Sequence, residues 1–430
     1  MMKRNKTSRF GPVVLAVAAI TAAAAALAWL PEGVVSTPSG SASSAGPVDA
    51  SVSAKVASNP GATTTRGQEA GGQEAGNATA GWRVRCDHGA SLAQAVRHAP
   101  TGAALVVSGI CTESIEITTD RLTLRGLSGA TIDGGSAATE AVVNIKGARG
   151  VVLQDLIVQN GADQGVLASG QAQVILNNVV ARDNGTLGVS VDRSHLDVSG
   201  LTLTGNGSSG LDAYTSSTVV LRGQVTASGN GGDGLVANGK TFLELRGAVV
   251  TASNNAGSGV SVINDSRLQI FSFPEAQGST ITADSNGFAG VGVLGAAMGV
   301  VGSQYFGSGA NVITATNNLF GFFMPAGSIL SPHATAKFVA NNNFIGMLIE
   351  DGGSLLVVGG LDVTQNSVGI SASGAGTLTM VSIPTNPSTV DANQTDMALD
   401  FGTRATIDGV AFTSLVCDGT ALVRGSASCP

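Results

Sequence analysis

Nine times along this chain an asparagine is followed, within a few residues, by a glycine and then an apolar residue. The series runs Asn160…Gly165-Val166, Asn184…Gly188-Val189, Asn206…Gly210-Leu211, Asn230…Gly234-Leu235 and Asn255…Gly259-Val260. It continues through Asn286…Gly290-Val291, Asn318…Gly321-Phe322, Asn342…Gly346-Met347 and Asn366…Gly369-Ile370. Successive asparagines lie 24, 22, 24, 25, 31, 32, 24 and 24 residues apart. A near-constant period of this length marks a repeat architecture that grows in one dimension. The 430 residues therefore do not imply two or three globular domains.

Each unit holds short apolar alternations, such as Val174-Ile-Leu176, Leu196-Asp-Val198, Val219-Val-Leu221 and Leu243-Glu-Leu245. They are too short for helices and rich in β-branched residues. No unit can bury its own inner face. Stacked coils about 4.8 Å apart pair every strand with the coil above and below. Inward side chains then form apolar columns, and Asn and Gly suit corners that need positive φ. Asparagines stacked at one corner can hydrogen-bond up the axis. A leucine-rich repeat is excluded by the missing leucine consensus. A calcium-binding nonapeptide helix is excluded because only Gly229-Asn-Gly-Gly-Asp-Gly234 hints at its motif. The expected fold is an all-β solenoid over residues 82–430.

The chain ends are read separately. Lys3, Arg4, Lys6 and Arg9 precede the apolar stretch Gly11–Leu30, which Pro31 closes. Residues 1–30 read as a signal peptide or a retained N-terminal membrane anchor. Ala26-Leu27-Ala28 and Ser43-Ser44-Ala45 offer small-x-small cleavage sites. Residues 31–81, rich in Ser, Ala and Gly, read as a disordered linker. A flexible chain of that size spans roughly 40 Å. The protein is expected to be exported to the periplasm, the cell surface or the medium. Cys86 and Cys111 flank the start of the body and Cys417 and Cys429 its end, which suggests two disulfides in an oxidising compartment. At the N-terminal end, Ser91-Leu-Ala-Gln94 is a capping box, followed by Leu92, Ala95, Val96 and Ala99 at helical spacing and a stop at Pro100. That short helix is expected to plug the open end of the core. Phe288, Phe320 and Phe344 occupy matching places in three coils and read as an internal aromatic stack.

Net charge is −7, and the four basic leader residues leave −11 for the rest. That balance argues against nucleic acid, which needs a basic face. It permits divalent cations or neutral and cationic glycans as partners.

Cys86…Ser91-Leu-Ala-Gln-Ala-Val, Gly109-Ile-Cys-Thr-Glu113, Leu122-Thr-Leu-Arg-Gly126 and Ala130-Thr-Ile-Asp-Gly134 resemble the first coils of pectin-lyase-like repeat proteins. The resemblance implies a single-stranded right-handed parallel β-helix with an N-terminal capping helix. It also implies a carbohydrate-related role, typically on acidic polysaccharides, but it is poorly specific for activity, because the same fold carries lyases, hydrolases, epimerases, adhesins and structural proteins. The Asp-Asp, Gly-His-Gly and Arg-Ile-Lys motifs of polygalacturonase-like hydrolases are absent, as is the Asp-Pro-His-Asp of mannuronan epimerases.

Aligned on the Gly-apolar step, the residues just beyond the next strand fall on one edge of the solenoid. They are Asp192, Arg193 and His195; Asp212 and Tyr214; Asn238 and Lys240; Asn264, Asp265 and Arg267. A polysaccharide lyase needs a Lys or Arg base with acid neighbours. Lys240 or Arg267 would be the catalytic base beside Asp212 and Asp265, and Tyr214 would stack on a sugar ring. Asp192, Arg193, His195, Asp212, Tyr214 and Asp265 are the candidate binding residues. No cofactor is required, and calcium is the one candidate. Turn positions also carry polar residues simply because they face solvent. Two functions follow: an exported protein that binds, and modifies or cleaves, a cell-envelope or extracellular polysaccharide, or a non-enzymatic structural or adhesive surface protein. Whether it is an enzyme stays open here.

Overall fold

The computed structural model describes residues 82–135, 140–271, 278–295, 297–301, 311–325, 327–332 and 336–429. The leader and linker expected over residues 1–81 lie outside the described residues. The extra length of the two longest coils falls at 272–277 and 302–310, also outside them.

The body is a right-handed parallel β-solenoid of about 12 turns. One 13-stranded sheet takes a single strand from each coil, and a 23-stranded sheet takes the rest. The coil from Val189 shows the plan. Val189–Asp192 lies in the smaller sheet. A tight turn leads into His195–Thr204 of the larger sheet. That long strand bends at Gly200, whose φ is +90°. An asparagine turn then returns the chain to the smaller sheet at Leu211–Tyr214. The ladders joining the strands are parallel and in register, as in Val189↔Leu211, Leu211↔Leu235 and Leu235↔Val260.

Register converts sequence repeats into columns. Val166, Val189, Leu211, Leu235, Val260, Val291, Phe322, Met347, Ile370 and Met397 follow one another up the inside of the smaller sheet. All are at most 1% exposed. Each contributes about 1.5–3 kcal/mol relative to an exposed side chain.

The asparagine turn explains the repeat, with two corrections. Asn184, Asn206, Asn230, Asn255, Asn286, Asn318, Asn343, Asn366 and Asn393 form an uninterrupted ladder. Each Nδ2 donates to the next Oδ1 at 2.9–3.2 Å. Asn160 and Asn342 do not belong to it. They occupy the preceding position, which is left-handed in every one of these turns (φ +56° and +57°), and their side chains are outside. The amide following Asn160, Gly161 N–H, instead donates to Asn184 Oδ1. The motif glycine is needed for close approach rather than for positive φ. A Cβ on Gly210 would stand 2.6 Å from Gly234 O and 3.1 Å from the Asn230 amide nitrogen.

The helix Leu92–His98 caps the N-terminal end, with Leu92 and Val96 buried. The Ser91 hydroxyl accepts from Gln94 N–H. Glu113 completes the cap, taking hydrogen bonds from the Ser91 hydroxyl at 2.8 Å and from Leu92 N–H. The disulfides Cys86–Cys111 and Cys417–Cys429 close the two ends. The aromatic stack differs from expectation. Phe322 and Phe338 are the pair inside the core, 5.1 Å apart. Phe288 and Phe320 pack edge to face, with Phe323 stacked on Phe320, in a cluster apart from that core. Among the described residues no helix is long and apolar enough to cross a membrane.

Candidate functional site at the corner between the sheets

The predicted site residues surround the turn that carries the chain from the smaller sheet to the larger one. Left-handed residues make this turn: Arg193, Thr215 and Ser216, Lys240, Asn264 and Asp265. Behind them Ser194, Ser217, Thr241 and Ser266 are buried; the serine hydroxyls accept from backbone N–H groups of the adjacent coil, and Ser217 and Thr241 donate to carbonyls of their own turns. The turn is thus held from inside, and its outer residues are free to face solvent.

The structure distributes the predicted residues over two faces and the corner between them. Asp192, Asp212 and Tyr214 lie together outside the smaller sheet, with Asp192 in register with Tyr214 and Ser190 with Asp212. Burial pushes the Tyr214 phenol above its usual range, and the Asp192, Asp212 and Glu140 charges add to it. Arg193 is exposed and reaches back to Asp192 at 3.0 Å. Lys240 and Asp265 sit exposed on the corner itself. Among the described residues Lys240 is the one lysine with no ion pair. Lys146 bridges Glu116 and Glu140, and Lys337 meets Asp362, so both have the acid partners that the sequence hid.

His195 and Arg267 turn onto the other face, outside the larger sheet. They share one register row, His195↔Thr218↔Phe242↔Arg267. Side chains alternate along a strand, so the residues two and four further on share their face. That adds Asp197, Glu244 and Gln269, then Arg222 and Arg246. This group was missed in the sequence because its members lie inside strands, where an alternating polar residue reads as ordinary solvent exposure. A like-signed accumulation in one register column, with Arg222 and Arg246 one coil apart, was the available signal.

The geometry of this face is tight. Arg246 meets Glu244 through both nitrogens, Nε–Oε1 at 2.6 Å and Nη2–Oε2 at 2.8 Å. The Glu244 side chain is only 5% exposed. Arg222 pairs with Asp197. Burial, reinforced by the Arg222 and Arg246 charges, pushes the His195 imidazole below its ordinary range, although Glu244 opposes this. His195 is therefore neutral at pH 7 and carries one donor and one acceptor. Arg267 Nε is buried without a hydrogen-bond partner. Phe242 stands half-buried between Thr218 and Arg267. From His195 to Arg267 the patch covers four coils, about 14 Å along the axis. It offers guanidinium donors, an aromatic surface and a neutral imidazole.

A second acid behaves differently from its neighbours. Glu350 is half-buried beyond Leu348 on the smaller sheet, and burial, with Asp351 adding to it, pushes its carboxyl up to about 7. Among the described residues the grouping with three metal-type ligand atoms is Cys86, Cys111 and Glu113. Its sulfurs are joined in a disulfide and its carboxylate caps a helix.

Residues 104–231 match the family described as the right handed beta helix region. The body has the right-handed parallel β-helix fold that this description names. Solved structures similar to this β-helix include the A-module of the mannuronan C-5 epimerase AlgE6 of Azotobacter vinelandii. That pair shares 16% identity at a TM-score of 0.39, covering 77% of this chain and 82% of the other. The catalytic unit of the GH87 α-1,3-glucanase of Streptomyces thermodiastaticus gives 13% and 0.36, covering 82% and 69%. The DFA-IIIase of Arthrobacter chlorophenolicus gives 12% and 0.33, covering 76% and 88%. Likeness at this level assigns no role to any residue of the β-helix. No curated protein matches it in sequence.

Proposed function

We propose that this β-helix is an exported protein that binds an acidic polysaccharide on the outer face of its larger sheet, beside the corner between the sheets. The observation that carries the reading is the column His195, Phe242 and Arg267, with Arg222 and Arg246 beside it. It places an aromatic surface among planar donors suited to carboxylates. A polymer of repeating sugars would lie along a solenoid of repeating coils. The two disulfides support export, since they persist in oxidising compartments. Lys240, with Asp265 beside it on the corner, or Arg267 on the larger-sheet face would act as base if the bound chain is cleaved; Asp212 lies on the opposite face from Arg267 and is not its acid neighbour. Asp192, Arg193 and Tyr214 would form the rim on the smaller sheet. Calcium, if it takes part, would bridge these carboxylates and those of the polymer.

The test is titration of the full chain with uronate and neutral polysaccharides, with and without calcium, while following ultraviolet absorbance and chain length. Binding that Phe242→Ala and Arg267→Gln both weaken is the expected result. Absence of binding and turnover across the panel overturns the reading and leaves a structural or adhesive protein. Turnover that survives Lys240→Ala and Arg267→Ala removes the proposed bases.

A further inference from the structure

Past the bend in each long strand, the larger sheet presents another face, and its outer side chains repeat in two rows. Thr202, Thr226, Thr251, Thr282 and Thr314 follow one another in register over five consecutive coils. Two residues further on, Thr204, Ser228, Ser253, Asp284 and Thr316 form the second row through the same ladders. Val180 and Val339 extend the first row at its two ends. Between the rows Leu203, Ala227, Ala252, Ala283 and Ala315 point inward and are fully buried. The sequence writes this as Thr-Leu-Thr, Thr-Ala-Ser, Thr-Ala-Ser, Thr-Ala-Asp and Thr-Ala-Thr.

Nothing in the core requires this outer pattern, because the inward alanines would pack equally well beneath any polar residue. The face is also not a charged one. Asp284 is the only ionised group in the ten positions, and Thr316, Asn317 and Ser285 donate to its carboxylate. The five first-row hydroxyls make no hydrogen bond to another described residue. All ten side chains keep solvent access.

The strand geometry fixes the grid. Rows repeat about every 4.8 Å up the axis, and the two positions within a strand are about 6.6 Å apart. Threonine is stiff at χ1, so both its methyl and its hydroxyl are held in place before anything binds. The result is a regular lattice of nine hydroxyls and one carboxylate, that of Asp284, separated by methyl-lined troughs. Its occupant must be uncharged and must repeat in two directions at these spacings. A single polymer chain repeats in one direction only, and an ionic partner would find a single charge in the ten positions, already satisfied by three donors. Hexagonal ice has oxygen spacings close to this grid in its prism plane, and its water molecules both donate to and accept from hydroxyls.

We infer that the Thr202–Thr316 face is an ice-binding surface. It lies on a different stretch of the strands from His195, Phe242 and Arg267 and is independent of the polysaccharide site. Adsorption of the fluorescently labelled full chain to a single-crystal ice hemisphere, together with inhibition of ice recrystallisation, tests it. The wild-type protein should coat the ice and hold grain size constant. Thr226→Lys and Thr251→Lys should each abolish both effects with an unchanged unfolding midpoint, and Thr251→Val should retain part of the activity. Phe242→Ala and Arg267→Gln should adsorb like wild type. Failure of the wild-type chain to adsorb overturns the inference, as does adsorption undiminished by both lysine variants. Retention on microcrystalline cellulose or chitin without adsorption to ice overturns it in favour of a neutral glycan surface.

Discussion

Arg246 grips both carboxylate oxygens of Glu244, two residues earlier on the same strand and the same face. A carboxylate this buried depends on its partner. Arg246→Ala should cost about 3 kcal/mol, because it leaves a desolvated charge unpaired. Replacing both, as Glu244→Leu with Arg246→Met, should recover most of that loss. Urea denaturation of the single and double variants measures the difference. A double variant as unstable as Arg246→Ala would contradict it.

The asparagine ladder should fail locally and steeply. Asn255 donates to Asn286 Oδ1 and Ala227 O, and its own Oδ1 accepts from Asn230. Asn255→Ala strands several buried groups at once and should lower stability by about 3 kcal/mol. Hydrogen exchange should show the loss concentrated in the adjoining coils, since each coil touches only its neighbours. Uniform acceleration along the whole body would count against this.

Glu350 gives a pH dependence of defined sign. Its folded-state pKa of about 7 lies above its ordinary 4.5. The neutral form is favoured in the fold, so this contribution is full below pH 4.5 and is lost as pH rises through about 7. Partial solvation reduces the effect to about 1 kcal/mol. Glu350→Gln should flatten the stability profile between these limits. A wild-type profile unchanged by the substitution would show that the carboxyl titrates normally.

His195 works in the opposite direction. Its pKa is depressed, so the stabilising contribution is present above the ordinary histidine range and is lost as pH falls through the lower, folded value. His195→Gln should make the protein less sensitive to mild acid. Proton NMR of the imidazole gives the pKa directly, and a value at or above the ordinary range would refute the burial argument.

Phe242 tests the site. Phe242→Ala should weaken uronate binding about tenfold, or about 1.4 kcal/mol, without moving the unfolding midpoint much. Isothermal titration beside a denaturation curve separates the two effects.

Much of the architecture was legible in the sequence because a solenoid repeats its rules. Spacing alone gave the coils, and Ser91, Gln94 and the flanking cysteines gave the ends. The register of two markers was not legible. At Asn160 and Asn342 an asparagine occupies the left-handed position, which tolerates that residue as readily as the ladder position does. The site was legible only in part. His195 and Arg267 were singled out, but aligning turns could not tell which side of the corner each would face. Glu244 and Arg246 were invisible as a pair because charged residues two apart on a strand look like ordinary alternation. Glu350 could not be singled out, because its burial depends on neighbours from other coils.

The amides of the ladder all point one way. Each Nδ2 faces the C-terminal side, and the last of them, on Asn393, meets Asp396. Asp396 also accepts from Thr413 and Ser414 and has no proton to pass on. The column is thus a polar wire with a built-in terminator. Its sense sets a grammar for duplication: whole coils can be spliced in anywhere between Asn184 and Asn393, since every junction presents the same donor to the same acceptor. Lengthening the protein beyond that point requires Asp396 to give way to a residue that can donate.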